Sequence, residues 1–533
     1  MNLKDKNEIF LVLILLFAFY LRICGLGYGF PYVLNLEEEK LLKDIFYVIG
    51  HMLTPDDYHA SDFFLYASSI FVCILSRTFD LNNVLSLFGS SPETFIVPLR
   101  VVNMFFTIIT IVVVYLIGRI FNPLCGLVSS AALAVSFLNV IYSHSFNLFP
   151  IMTFFMVLST MFVLLACLNL KKAEVNLKLS FISVLLSTSI HYLGIMSIVP
   201  GIIYLTSKNN LKPWNFLKLL FLAFVLLNPS FIYHFFPNLI IFFKSYFMGY
   251  LANSSNSYMD CVSRILPTAV GPVILALPLL LFKYREKCDA WLIVILFSFP
   301  FMYFLLLGLL HLKDICYSLP LIPYLSIAFG LVFSFVYSEI EKKVHWKRFV
   351  FIFVSLLAFW IPLKSVLNYN KLINLPDTRA LATEWILRKT TRYFTIAWDD
   401  HSIEFGGAAN FFGQEEREKK NKKRSSFVNE RKKIIVDSSF LKQKDWFKIL
   451  KKRADYVVVS SLDSESAFRS GENKLFKKYY KKLSRLNSEV SFNPYYKDVE
   501  NKLRNLFFED LYLPFETVFQ RERFGPVVRV YKI

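Results

Sequence analysis

The sequence predicts an α-helical polytopic membrane protein, with about eleven spanning helices followed by a small carboxy-terminal α/β domain on the outer side of the membrane. Three observations predict it. Apolar residues come in runs long enough to cross a bilayer, basic residues fill alternate short loops between those runs, and after Tyr369 the apolar runs stop.

Of the 533 residues, 55% are hydrophobic, 17% aromatic and only 19% charged. A soluble domain carries about a quarter charged residues. Stretches 7–25, 98–118, 151–170 and 349–367 each have the length needed for about 30 Å of hydrocarbon, and each is followed by a polar or Pro/Gly break. The first has Lys4 and Lys6 before it but no small-residue cleavage site after it, which predicts an uncleaved first helix with its amino terminus inside.

Basic residues in short loops mark the cytoplasmic side. Arg119, Lys171/Lys172/Lys178, Lys208/Lys212, Lys283/Arg285/Lys287 and Lys342/Lys343/Lys347/Arg348 mark inside positions. Outside positions are then 142–147, a tight turn near His191, 233–263 and 311–314. Spans of this parity are 8–26, 98–118, 123–142, 150–169, two short ones within 179–206, 216–234, 263–283, 291–310, 317–338 and 349–367. The apolar stretch 63–79 does not fit, because counting it as a crossing reverses every later loop. It is expected to lie along the membrane within an outside loop, 27–97.

The predicted domains are thus 1–369, the membrane region, and 370–533, a soluble extracytoplasmic domain. In the latter, YFTIAWD, KIIVDSS, DYVVVSS and VVRVYKI read as strands, with helical patterns TRALATEWILRKT and WFKILKKR between them. The charge-dense stretch 415–433 reads as a surface loop.

The net charge of +19 lies in short loops and the last third of the chain, and no nucleic-acid motif accompanies it, so a nucleic-acid partner is not expected. The seven cysteines are scattered without CxxC spacing, which suggests neither a disulfide framework nor a zinc site.

Beyond the first span lies GLGYGFPYVLNLEEEK. A carboxylate among Glu37, Glu38 and Glu39, near the membrane surface, has the chemistry of a general base or of a ligand for a phosphate-neutralising divalent cation. A solvated acidic loop explains the same residues.

Further motifs favour the first reading. RICGLGYGFPYVLNLEEE resembles the first span and loop of the protein O-mannosyltransferase-like, lipid-carrier-dependent glycosyltransferases, which include the aminoarabinose transferases and share the GT-C fold. Arg22, Gly25, Gly29 and Pro31 match that pattern, Glu37 and Glu38 fall on its Asp-Glu pair, and Asn35 and Leu36 replace the preceding His-Pro. IGRIFNPLCGLVSSAALAVSFLNVIYSHSF resembles its next turn and Ser-His motif at Ser143 and His144. FVLLNPSFIYHF resembles its Asn-Pro motif at Asn228 and Pro229, and ICYSLPLIPYLSIAFG its Tyr-x-x-Pro-x-x-Pro segment at Tyr317, Pro320 and Pro323. PDTRALATEWI and ADYVVVSS are similar to parts of its outside domain. Departures stand at Phe149 for an acid, His191 for a lysine and Cys316 for an arginine.

The resemblance implies an integral protein of the plasma (inner) membrane with its site on the extracytoplasmic face. The reaction implied is transfer of a hexosyl or pentosyl group from a polyprenyl-phosphate donor to a lipid, glycan or protein acceptor. Glu37 and Glu38 are the expected catalytic residues, with Glu37 also the candidate ligand of a divalent metal, the one cofactor considered. His144, His191, His311, Lys313 and Tyr317 are the expected donor and phosphate-binding residues, the first four at outside turns. The rival reading is a non-catalytic relative that binds a lipid carrier or membrane partner. A transporter is disfavoured, since neither inverted repeats nor midplane charge pairs are evident.

Overall fold

The computed structural model describes residues 3–30, 35–52, 61–207, 224–225, 227–228, 264–267, 289–309, 314–341, 345–389, 396–398, 426–429, 432–435, 455–462, 464, 480–496 and 514–532. The chain is an α-helical polytopic membrane protein with a small carboxy-terminal sheet. It divides into two compact units, Met1–Leu26 with Lys40–Leu81 and Ile96–Leu367, and Gly27–Glu39 with Asn82–Phe95 and Asn368–Ile533.

The first unit begins with α1 (Leu3–Ile23), whose Ile9, Phe10, Val12, Leu13, Leu16 and Tyr20 are exposed. Such an apolar face suits contact with lipid. Among the described residues five helices are long and apolar enough to cross a membrane, or up to seven if each of two bent pairs counts as one span. The five are Glu93–Phe121, Leu148–Leu168, Leu170–Ile190, Ala290–Gly308 and Ile315–Ile340. The expected spans at 216–234 and 263–283 fall largely outside the described residues.

Helix α2 runs over Leu36–His51, α3 over Asp62–Ser76 and α4 over Leu81–Ser90. The apolar stretch 63–79 therefore forms a helix that stops at Arg77, in a left-handed conformation with φ 56°, and Thr78 N–H reaches back to the Cys73 carbonyl at 3.2 Å. This closes the helix end as a Schellman motif does.

The expected span 123–142 is not one straight helix. It breaks into α6 (Pro123–Ala134) and α7 (Phe137–Ser143), bent by 57°. A break frees carbonyls that hydrocarbon cannot satisfy. The buried Arg22 guanidinium supplies donors, reaching the Ala134 carbonyl at 3.0 Å, the Leu133 carbonyl at 3.4 Å and Asn139 Oδ1 at 2.7 Å. Helix α5 (Glu93–Phe121) precedes the pair, and α8 (Leu148–Leu168) and α9 (Ala173–Ile190) follow it. Next come a 3-10 turn at Tyr192–Ile198, α10 (Val199–Ser207) and α11 (Ala290–Leu309). A second 3-10 turn at Ile315–Leu321 leads into α12 (Ile322–Glu341) and α13 (His345–Ile373).

In the second unit, α14 (Thr378–Lys389) packs on a four-stranded sheet of order β1-β4-β6-β5. The strands are β1 (Ile396–Trp398), β4 (Tyr456–Ser460), β5 (Val490–Phe492) and β6 (Val528–Lys532), with β1 parallel to β4 and β6 antiparallel to β4 and β5. Ala382 and Ile386, one helical turn apart, bury against Ile396, Tyr456, Val458, Val528 and Val530. An antiparallel pair joins β2 (Ser426–Asn429), within the stretch read as a charged loop, to β3 (Lys432–Ile435), which overlaps the strand read from KIIVDSS. Phe427 and Val428, facing Ile434 and Lys433, give that pair the β-branched and aromatic content a strand needs.

Candidate active site

In the membrane unit, polar side chains gather where α1, α5, α7 and α8 end or begin. Arg22, Arg100, Asn103, Asn139, His144 and Asn147 are all buried. Arg100 donates to the Leu26 carbonyl at 2.6 Å. Asn103 Nδ2 donates to the carbonyls of Ser145 and Asn147 at 2.8 and 2.7 Å, and so fixes the loop that joins α7 to α8. Asn147 caps α8 by accepting the Phe149 N–H at 2.8 Å.

His144 follows the last residue of α7, and its Nδ1 lies 2.8 Å from the Val140 carbonyl. Burial pushes its pKa down to about 4, and Arg22 and Arg100 act in the same direction against the backbone of Val140 and Cys24. His191 links α9 to the following 3-10 turn, and burial pushes its pKa down to about 3. Its Nδ1 accepts the Leu193 N–H at 3.3 Å, which leaves the ring proton on Nε2. Both histidines are therefore neutral at neutral pH and offer hydrogen bonds, where the sequence predicted phosphate-binding cations. Fixed positive charge at this end comes from Arg100 and Arg22.

The three departures from the family pattern occupy one place. Phe149 meets His191 at 5.3 Å and Tyr317 at 5.2 Å between ring centroids, and His191 lies against Tyr192 at 4.2 Å. Cys316 is buried beside them, close enough to push the Tyr192 hydroxyl upward in pKa together with the larger effect of burial. Where the motif resemblance leads one to expect an acid, a lysine and an arginine, the chain has a neutral, largely aromatic cluster. Tyr317 is held through its carbonyl, which accepts from the Tyr303 hydroxyl at 3.1 Å.

The start of α3 is tied to the same turn. The Ser61 hydroxyl donates to the Ser189 carbonyl, Asn228 Nδ2 donates to Ser189 Oγ at 3.2 Å, and Asn228 Oδ1 accepts the Phe63 N–H at 3.4 Å. Asp62, between the anchored Ser61 and Phe63, is fully buried. Sequence reasoning passed over Asp62 and Arg100. The available signal was an ionisable residue at the edge of an apolar run, since Asp62 abuts the run 63–79 and Arg100 opens the run 98–118.

In the second unit, Glu37, Glu38 and Glu39 form the first turn of α2. Asn35 caps it, accepting the Glu37 N–H on its side chain and the Glu39 N–H on its carbonyl, both at 3.0 Å. Acids favour a helix amino terminus, where the backbone dipole is positive. That effect accounts for a partly exposed Glu37 or Glu39, but not for Glu38, which is 0% exposed. A buried carboxylate is costly unless it is paired or hydrogen-bonded. Among the described residues no three His, Cys, Asp or Glu side chains converge as a metal site requires. His311 and Lys313 lie outside the described residues.

Residues 64–233 match the family described as dolichyl-phosphate-mannose-protein mannosyltransferase. The matched segment lies within the membrane region. That segment takes in His144, Phe149 and His191, and it bears out the recognition made from the motifs. No curated protein sequence matches the chain. Among solved structures, the fold is similar to that of the Archaeoglobus fulgidus oligosaccharyltransferase tethered to an acceptor peptide, at 12% identity, 89% of this chain, 72% of that chain and a TM-score of 0.51. The archaeal oligosaccharyltransferase AglB from Archaeoglobus fulgidus, in complex with an inhibitory peptide and a dolichol-phosphate, gives 12% identity, 87% and 70% coverage and 0.51. ArnT from Cupriavidus metallidurans in the apo state is matched over 99% of this chain and 98% of that one, at 11% identity and a TM-score of 0.49. The chain is thus an integral membrane protein whose fold is similar to that of an oligosaccharyltransferase and whose residues 64–233 match the mannosyltransferase family.

Proposed function

We propose that the protein transfers a sugar from a polyprenyl-phosphate donor to an acceptor hydroxyl or amide at the extracytoplasmic face of the plasma membrane, with inversion at the anomeric carbon. The observation that carries this reading is the mannosyltransferase segment, 64–233, enclosing the buried polar end of the membrane unit. The dolichol-phosphate in the AglB structure is a donor-derived group of the expected chemistry.

In this mechanism the acceptor atom attacks the anomeric carbon, the carbon–oxygen bond to phosphate breaks, and the electron pair leaves with the polyprenyl phosphate. The acceptor proton passes to Glu37, with Glu38 its buried partner. Charge growing on the leaving phosphate is met by donors already oriented for it, which is where electrostatic catalysis is strongest. Arg100, His144 and His191 would supply those donors, together with Lys313 and His311, and Tyr317 would border the sugar. The neutral cluster of Phe149, His191 and Tyr317 would pack against the face of an uncharged sugar ring.

A second reading draws on the same cluster: loss of three charged positions also suits a relative that binds a lipid carrier without turning it over. The two are separated by incubating the purified protein in lipid with radiolabelled polyprenyl-phosphate sugars. Release of polyprenyl phosphate supports the enzyme, whereas retention of intact donor on the protein supports the binder.

A further inference from the structure

The second unit joins two pieces of chain that are far apart in sequence. Gly27–Glu39 precede most of the membrane region, yet they form one compact unit with Asn368–Ile533. The contact that ties them is Tyr28, whose hydroxyl donates to Asp377 Oδ2 at 2.7 Å across 349 residues of sequence. Asp377 is already engaged. Its Oδ1 caps α14 by accepting the Arg379 N–H at 2.8 Å, and the Arg379 guanidinium grips both oxygens at 3.0 Å, with both side chains almost fully buried. A helix cap with an ion pair needs nothing more. The third partner, from the first loop, is what an ordinary cap does not explain.

The surroundings are built to hold that partner. The Tyr28 ring packs on Phe524 at 4.9 Å, and Tyr369 meets the same ring at 5.2 Å. Gly525, next to Phe524, has φ 103°, and an added Cβ there would lie 2.9 Å from the Asp377 carboxyl carbon, so only glycine lets this turn come so close. Arg521 stiffens the turn, donating to the Gly525 carbonyl, the Tyr495 hydroxyl and Thr517 Oγ1, each at 2.8 Å. On the other side, Gly29 has φ 91°, which lets the loop turn immediately after Tyr28. Charge-assisted bonds of this kind are stronger than neutral ones.

We infer that Asp377 is a positioning residue: through the Tyr28 hydroxyl it fastens the first loop, with the acidic turn Glu37–Glu39, to the carboxy-terminal domain. The domain then sets how often the carboxylates stand ready, without any of its own residues reacting. The consequence for turnover rests on the proposed role of Glu37; the latch itself does not.

The test is hydrogen exchange followed by mass spectrometry on the full chain in lipid nanodiscs, comparing wild type with Tyr28→Phe, which keeps the ring on Phe524 and loses only the donated bond. Asp377→Asn serves as a second variant. Amides of 27–30 and 35–39 should exchange about tenfold faster in Tyr28→Phe, with those of α8 and of β4 and β6 unchanged. With polyprenyl-phosphate mannose as the donor probe, kcat should fall about tenfold at a KM within twofold of wild type. Unchanged exchange over 27–30 and 35–39 in Tyr28→Phe overturns the latch, whatever the probe does. Faster exchange with an unchanged kcat overturns the positioning role. A wild-type protein that never releases polyprenyl phosphate counts against the enzymatic reading alone, and the exchange result still decides the latch.

Discussion

The Phe149 and Tyr317 rings meet edge to face, at 90° and 5.2 Å between centroids. This joins the first turn of α8 to the 3-10 turn before α12, at a corner where related sequences are expected to carry charge. Aromatic pairs in this geometry add about 0.5–1.5 kcal/mol beyond the area they bury. Phe149→Asp restores an acid without restoring cations, and so leaves a buried charge unpaired. A loss of about 3 kcal/mol or more is expected, the scale of a broken buried pair. Phe149→Leu should cost far less. Melting in detergent, followed by fluorescence-detected gel filtration, distinguishes them. Equal melting temperatures would mean that the corner is open to water.

Arg22 binds the two carbonyls at the α6–α7 break as well as Asn139. Arg22→Leu keeps bulk but strands those acceptors in a dry interior. Each buried unsatisfied group costs about 1–3 kcal/mol, so the variant should lose most of its monodisperse folded fraction. Arg22→Lys, with fewer donors and no fork, should recover part of it. A stable Arg22→Leu protein would show that the break satisfies its carbonyls by other means.

The histidines make a prediction about pH. Their folded pKa values, about 4 for His144 and about 3 for His191, lie below the ordinary value of 6.5. Above pH 6.5 both states are neutral and nothing is lost. Below it the unfolded chain takes up protons that the fold refuses, so stability falls by about 1.4 kcal/mol per pH unit for each histidine until the folded pKa is reached. Melting temperature measured from pH 7.5 to 5 should drop, and should drop less in His191→Gln. Transfer rates over the same range should not follow an imidazole titration near 6.5.

Much of the membrane region was legible because hydropathy and loop charge are local properties that one window reveals. The strands read from DYVVVSS and VVRVYKI were legible for the same reason, and they are the two central strands of the sheet. What stayed hidden depends on distant partners. Nothing within residues 123–142 announces a break, since the donor that makes it tolerable is Arg22, more than a hundred residues earlier. β5 is three residues long and shows no alternation beyond its neighbours; pairing with β6 is what makes it a strand. His144 and His191 were legible as site candidates but not as neutral groups, because charge state follows from burial.

The acidic turn carries the last prediction. Helix-cap electrostatics, worth about 0.3–1 kcal/mol for an exposed acid, predict similar small effects for any of the three residues. General-base catalysis predicts one large effect at one position. Glu37 is partly exposed and falls on the acid that the motif resemblance assigns as the base, whereas Glu38 is buried and Glu39 falls one place past that motif. Glu37→Gln should therefore fold normally and transfer sugar about 100-fold more slowly, the scale of a lost general base. Glu39→Gln should stay within about twofold, the effect of a rim charge in a high-dielectric setting. Glu38→Gln should lower both melting temperature and rate, because its burial makes it part of the fold as well as of the site. If Glu37→Gln turns over at the wild-type rate while Glu38→Gln is inactive and stable, the base is Glu38; if neither changes the rate, the turn is a helix cap and the carboxylate mechanism is wrong.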